Sequence, residues 1–243
     1  MRPESFVRMK GKKIPRVLLG TSPFIGAGQF GFRSLLYYRA FYDNPERIAR
    51  IICKSYEIGV RGIQVLPYSF IIKAIKEAEK SLDSGLIVVG SIEDERDIEM
   101  FKDVNTVAVL THASVTDVKD VKLVYKLLDK AKDEGYLTGV ATHKPYSILK
   151  WIRDKELKMD LLMLPINKEG IFADGDMKKI VELIEDVRKD KIIIAKKALA
   201  AGRLKPETAL KYVAEIADVV AIGVASEKEA EESFSIALRY FRS

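Results

Sequence analysis

The chain has 243 residues, of which 48% are hydrophobic and 31% charged, with a formal net charge of +6. That is enough apolar material for a sizeable core, in a chain of the length typical of a single α/β barrel. No apolar run approaches the roughly 20 residues that span a bilayer, the charged start MRPESFVRMKGKK lacks a signal-like apolar segment, and the single cysteine, Cys53, excludes an internal disulfide, so a cytoplasmic protein is expected.

The elements read in chain order as follows. FVRMKGKKIPRV suggests a hairpin turning at Lys10-Gly11, placed to plug the floor of whatever follows. An apolar run at 16–20 predicts the first strand, and TSPFIGAGQFGF after it contains a literal G-x-G-x-x-G. A dinucleotide fingerprint needs its first glycine at the strand end and its third opening a helix. Here Ser22, Pro23, Phe24 and Ile25 intervene, and FRSLLYYRAFYDN shows no clean helical stripe before Pro45, so the glycines are assigned to a long loop. Its seven aromatic residues suggest either a mobile cover over a pocket or an ordinary surface cluster.

Asn44-Pro45 reads as a helix start and Gly59 as its end. Further strands are expected at 61–66, 86–91, 106–111, 137–141, 160–164, 191–196 and 218–223, all short, apolar and rich in β-branched residues. Between them run amphipathic helical stripes, such as Met177, Ile180, Val181, Ile184 and Val187. Gly135 closes one helix, and Ser226 with Glu229 forms a capping box that opens the last. The lysines of these stretches alternate with acids, as solvated helix faces do, and no basic block points to nucleic acid. Only Gln29, Gln64, Asn44, Asn105 and Asn167 carry side-chain amides, a composition that suggests a heat-adapted source.

Eight βα units predict a (β/α)8 TIM barrel, one domain over residues 1–243, with an N-terminal hairpin and a long first βα loop. Chemistry in this fold comes from the C-terminal ends of the strands. Those ends carry Gln64, Tyr68, Ser91, Glu93, His112, Thr142, His143, Lys196, Lys197 and Ser226, among others. The only two histidines, His112 and His143, fall after adjacent strands four and five, which favours acid–base work. If Lys196 points inward, burial lowers its pKa and makes it an imine-forming nucleophile; otherwise it snorkels or pairs with an acid. No histidine spacing supports a metal site.

Across nearly its whole length the chain resembles the aldo/keto reductases. The motifs are the hairpin into IPRVLLGTSPFIG, then GVRGIQVLPYS, VAVLTH, EGYLTGVATH, IAKKALAAGRL and AIGVASEKEAEES. The resemblance implies an NADP(H)-dependent reduction of a small carbonyl or sugar-like substrate. Tyr68 would be the proton donor, His112 would orient the carbonyl, Thr142 would lie beside the nicotinamide, and Gly223, Ala225 and Ser226 would cradle cofactor phosphates. The family's aspartate is Gln64 here, its strand-three lysine has no counterpart in LIVVGS, its carboxamide-binding glutamine is Met163 and its ring-stacking tyrosine is Lys196. The alternatives are a non-redox barrel enzyme that uses Lys196 with His112 or His143, and a ligand-binding protein that has lost catalysis.

Overall fold

The structure is a computed structural model that describes residues 5–242. Strands β1 (Phe6–Met9) and β2 (Lys12–Pro15) form the expected hairpin, turning on Lys10 and Gly11, both at positive φ. A closed ring follows, β3 (Val17–Gly20), β4 (Gly62–Val65), β5 (Ile87–Ile92), β6 (Thr106–Thr111), β7 (Leu137–Ala141), β8 (Leu161–Pro165), β9 (Ile192–Lys196) and β10 (Val219–Gly223). Every neighbouring pair is parallel, and β10 closes on β3. All eight barrel strands lie where the apolar runs predict them, within about a residue at each end.

Helices connect them. In chain order they are α1 (Arg33–Phe41), α2 (Pro45–Ile58), α3 (Ser69–Glu79), α4 (Arg96–Phe101), α5 (Ala113–Thr116), α6 (Val121–Asp133), α7 (Pro145–Asp154), α8 (Met177–Val187), α9 (Pro206–Ala214) and α10 (Glu227–Tyr240). The cap signals work as read. Asn44 accepts the Arg47 N–H at 3.2 Å, and Ser226 Oγ accepts the Glu229 N–H at 3.1 Å. Helix α1 corrects the expectation of irregular chain before Pro45. Its apolar residues do not form an inward stripe: Phe32, Leu35 and Leu36 are 86%, 55% and 59% exposed, so the periodicity that marks a packed helix is absent.

Two apolar layers hold the barrel. Side chains of a strand alternate between its faces, and here Leu18, Val89, Leu110, Leu137, Leu161, Met163, Ile192 and Ile194 fill the interior. Their neighbours Val17, Leu19, Val88, Val109, Leu162 and Ile193 join the helix-covered outer core. Ile14, with Val7 and Met9, packs against the interior set from below, so the hairpin is a plug.

Gly139 shows how tight the interior is. A Cβ there would stand 2.3 Å from the Leu161 carbonyl oxygen, whereas one on Gly28, in the first loop, would meet nothing within 4 Å. Gly139→Ala is therefore expected to lower unfolding stability by about 1–3 kcal/mol. Gly28→Ala should leave the urea midpoint within error of the parent.

Candidate active site

The alternation that fills the barrel also decides what stands at its mouth. Continuing each interior series by two residues gives Gln64 after Gly62, Ser91 after Val89, His112 after Leu110, His143 after Ala141 and Lys196 after Ile194. All five line one cavity of about 760 Å³, together with Met163, Gly223 and Ala225. Thr111 and Thr142, which stand on the opposite parity, are fully buried and do not line it.

The two histidine rings meet edge to face with centroids 5.9 Å apart. His112 caps α5, its Nδ1 accepting the Ser114 N–H at 3.3 Å, and Glu93 Oε1 lies 2.8 Å from the same nitrogen. Ser114 Oγ donates to that carboxylate at 2.9 Å. Desolvation lowers the His112 pKa and the Glu93 charge opposes it, leaving the ring below its usual range. His143 Nδ1 lies 3.0 Å from Lys196 Nζ and 3.4 Å from Lys197 Nζ. Ammonium groups only donate, so Nδ1 accepts and the neutral ring carries its proton on Nε2. Desolvation, then the charges of Lys196 and Lys197, hold the His143 pKa well below the imidazole range.

Lys196 and Lys197 are consecutive, so an ordinary strand would point them to opposite faces. Lys197 adopts φ 57°, the left-handed region, and this breaks the alternation. Both lysines consequently line the cavity. Burial, followed by the Lys197 charge, lowers the Lys196 pKa to about 7, and burial also lowers that of Lys197. The acid both lysines feel is Asp117, whose Oδ2 accepts the His143 N–H at 3.1 Å and whose Oδ1 accepts the Thr142 hydroxyl.

Two sequence expectations need correction. Tyr68 is not among the cavity residues. It is 38% exposed at the start of α3, packed on Phe70 at 5.6 Å in a surface series that continues through Tyr42 to Tyr38. Burial, then the Glu93 charge, raises its pKa with no cation to lower it. Thr142 is committed to Asp117 and to the Lys144 N–H at 2.8 Å, on the outer parity of its strand.

The carried-over phosphate cradle is split. Gly223 and Ala225 line the cavity, and Ser226 does not. The Ala225 N–H is occupied by Glu229 Oε2 at 2.8 Å. The long first loop divides in two: Phe30 and Tyr37 face the cavity in an edge contact of 5.1 Å, while Tyr38 and Tyr42 stack outside. Its Arg33 lines the cavity and donates to the Ala201 carbonyl, tying the loop to the segment after β9. Arg33 and Asp117 were not singled out from the sequence, since neither lies on a strand whose parity could place it. Among the described residues no group of three or more His, Cys, Asp or Glu could hold a metal ion.

The depressed pKa values fix how stability depends on pH. The unfolded chain binds more protons than the folded one between a lowered pKa and its ordinary value, and there stability rises with pH. Lys196 is expected to contribute such a rise from about pH 7 towards its unperturbed value of 10.5. Chemical denaturation from pH 6 to 10 should show this slope in the parent and a shallower one in Lys196→Met, where only Lys197 still contributes.

A scan of protein-family models and a search of curated proteins return no match. Solved structures do match. The "Putative aldo-keto reductase from Pseudomona aeruginosa" superposes with a TM-score of 0.70 at 16% identity, covering 99% of this chain and 98% of that one. An aldo/keto reductase from Brucella melitensis gives 0.66 at 14%, covering 97% and 93%. A Bombyx mori aldo-keto reductase in complex with NADP gives 0.66 at 13%, covering 97% and 88%. At these identities the likeness establishes the fold: the chain has the barrel architecture of the aldo-keto reductases from end to end.

Proposed function

We propose that the protein is an aldo/keto-reductase-like oxidoreductase that reduces the carbonyl group of a small substrate with NADP(H) or NAD(H). The observation that carries this reading is the placement of His112, on the inner parity of the fourth barrel strand, in the wall of a cavity of about 760 Å³, with the Glu93 carboxylate outside that wall 2.8 Å from its Nδ1. Such a volume lies in the range of cofactor and small-ligand sites.

The donor set along the cavity fits a nicotinamide dinucleotide in part. Arg33 offers a guanidinium to phosphate oxygens, and the carboxylates of Glu229 and Glu232 suit hydroxyl or amino donors. The α10 N-terminus, in contrast, has no free Ala225 N–H to give a phosphate. The nicotinamide group, when bound, supplies a hydride to the carbonyl carbon. The electron pair of the C=O bond then moves to oxygen, and that oxygen takes a proton. His112 is neutral, because desolvation outweighs the Glu93 charge and its Nδ1 accepts the Ser114 N–H. Its Nε2–H donates the hydrogen bond that holds the carbonyl oxygen, and water at the cavity mouth supplies the proton. Tyr68, which does not line the cavity and has a raised pKa, is not assigned this role.

The lowered pKa of Lys196 favours a second reading, in which its neutral amine adds to the carbonyl carbon, water leaves, and an imine forms. Borohydride with an aldehyde panel separates the two, since a permanent mass increase on Lys196 supports the imine.

Saturable quenching or energy transfer on titrating NADH or NADPH at submillimolar concentration is the expected result for the reductase reading. Its absence removes that reading. In turnover assays His112→Ala should lower kcat by roughly 10²–10³-fold, the usual worth of a hydrogen-bond donor to a developing oxyanion. Glu229→Gln retains the capping-box side-chain type and removes a charge that would repel a ribose 2′-phosphate. It should therefore tighten NADPH binding by about tenfold, some 1.4 kcal/mol, and leave NADH binding nearly unchanged.

A further inference from the structure

Lysines at the mouth of a cavity normally meet carboxylates. Here two of them converge on one imidazole nitrogen, at 3.0 and 3.4 Å, and among the described residues neither forms an ion pair with a carboxylate. The charged groups around them come from four elements. Lys196 ends β9 and Lys197 follows it, His143 follows β7, His112 follows β6, and Asp117 follows α5. Asp117 is held away by its bonds to the Thr142 hydroxyl and the His143 N–H, and Glu93 is engaged by His112 and Ser114. One committed carboxylate therefore faces two ammonium groups. Lys197 Nζ also stands over the Phe172 ring, 5.0 Å from its centroid, and one imidazole nitrogen with one aromatic face leaves most of the six N–H bonds open to a further acceptor. The backbone also enters the left-handed region at Lys197, a conformation that disfavours a lysine and whose effect is to turn a second ammonium into the cavity.

We propose that Lys196, Lys197 and His143 form an anion subsite that binds the carboxylate of the substrate, so that the substrates are small oxo-carboxylates. The two ammonium groups bridge the carboxylate oxygens, and His143 Nε2–H adds a third donor. This rests on the reading that the cavity handles a carbonyl. His112, with its ring centroid 5.9 Å from that of His143, then stands beside the oxo group while the acid group is held by the lysines. Binding of an anion keeps Lys196 protonated, so affinity is highest below its pKa of about 7 and falls as pH rises through it.

The test is calorimetric titration of the intact protein with oxalate at pH 6 and pH 9. Oxalate is expected to bind at pH 6 and at least tenfold more weakly at pH 9. Lys196→Met and Lys197→Met should each lose tenfold or more, Lys197→Arg should retain most of the affinity, and Lys211→Met on the outer face of α9 should bind as the parent does. Circular dichroism melts of each variant establish that it is folded. Inorganic phosphate is the second arm: weaker binding than oxalate supports a carboxylate, and tighter binding overturns that assignment. Absence of oxalate binding, or equal affinity in the parent and both Met variants, overturns the subsite. The reductase reading fails separately. Oxalate binding without any reduction of glyoxylate by NADH or NADPH removes that reading and leaves the anion subsite standing, whereas reduction of uncharged aldehydes without oxalate affinity does the reverse.

Discussion

Closure of the eight-stranded ring is the constraint on which the site depends. Each barrel strand presents every second residue to the axis, and a closed ring brings those series to one place. The interior is filled by Leu18, Val89, Leu110, Leu161 and Ile194, and the hairpin residue Ile14 seals it from below. One step beyond the apolar layer the same parity delivers Gln64, Ser91, His112, His143 and Lys196. No long-range pairing has to be specified for these groups to meet. Strand register and barrel closure place them, as the packed core does throughout this fold class.

Electrostatics then gives that ring of side chains its character. Two lysines and two neutral histidines gather at the mouth, while the nearby carboxylates Asp117 and Glu93 are each hydrogen-bonded to other groups. Burial first, and for Lys196 and His143 the neighbouring cations second, depress the pKa values of Lys196, Lys197 and His143. Functional sites are where such perturbations collect. The same cavity is also lined by Glu229 and Glu232 of α10, and Arg33, which lines it too, is tied to the segment after β9 by its bond to the Ala201 carbonyl.

Much of this was legible in the sequence. Strands such as VAVLT and KIIIAK are buried on both faces, so their β-branched runs mark them without ambiguity, and the Lys10-Gly11 turn marks the hairpin. His112, His143 and Lys196 follow from the parity of those runs. Helix α1 was illegible because Phe32, Leu35 and Leu36 point to solvent and give no inward stripe. Tyr68 lies three residues beyond the end of β4 at Val65, where strand parity no longer sets direction, and it falls outside the cavity that Leu66 lines. Thr142 could have been set aside on parity alone, since it alternates with the interior residues Leu137, Gly139 and Ala141. Lys197 stands at a strand end in the sequence, but its turn into the cavity beside Lys196 had no sequence signal, because it depends on a left-handed backbone at a residue that is not glycine.

The most direct test of this account is the titration of the Lys196 side chain itself, followed by NMR of the selectively labelled ammonium or of its reductively methylated form. Convergence of Lys196 and Lys197 on His143 predicts a midpoint near 7 that moves back towards the ordinary lysine range in Lys197→Met. A parent protein in which Lys196 titrates with an unperturbed pKa, at about 10.4, would contradict the geometry from which the site is argued.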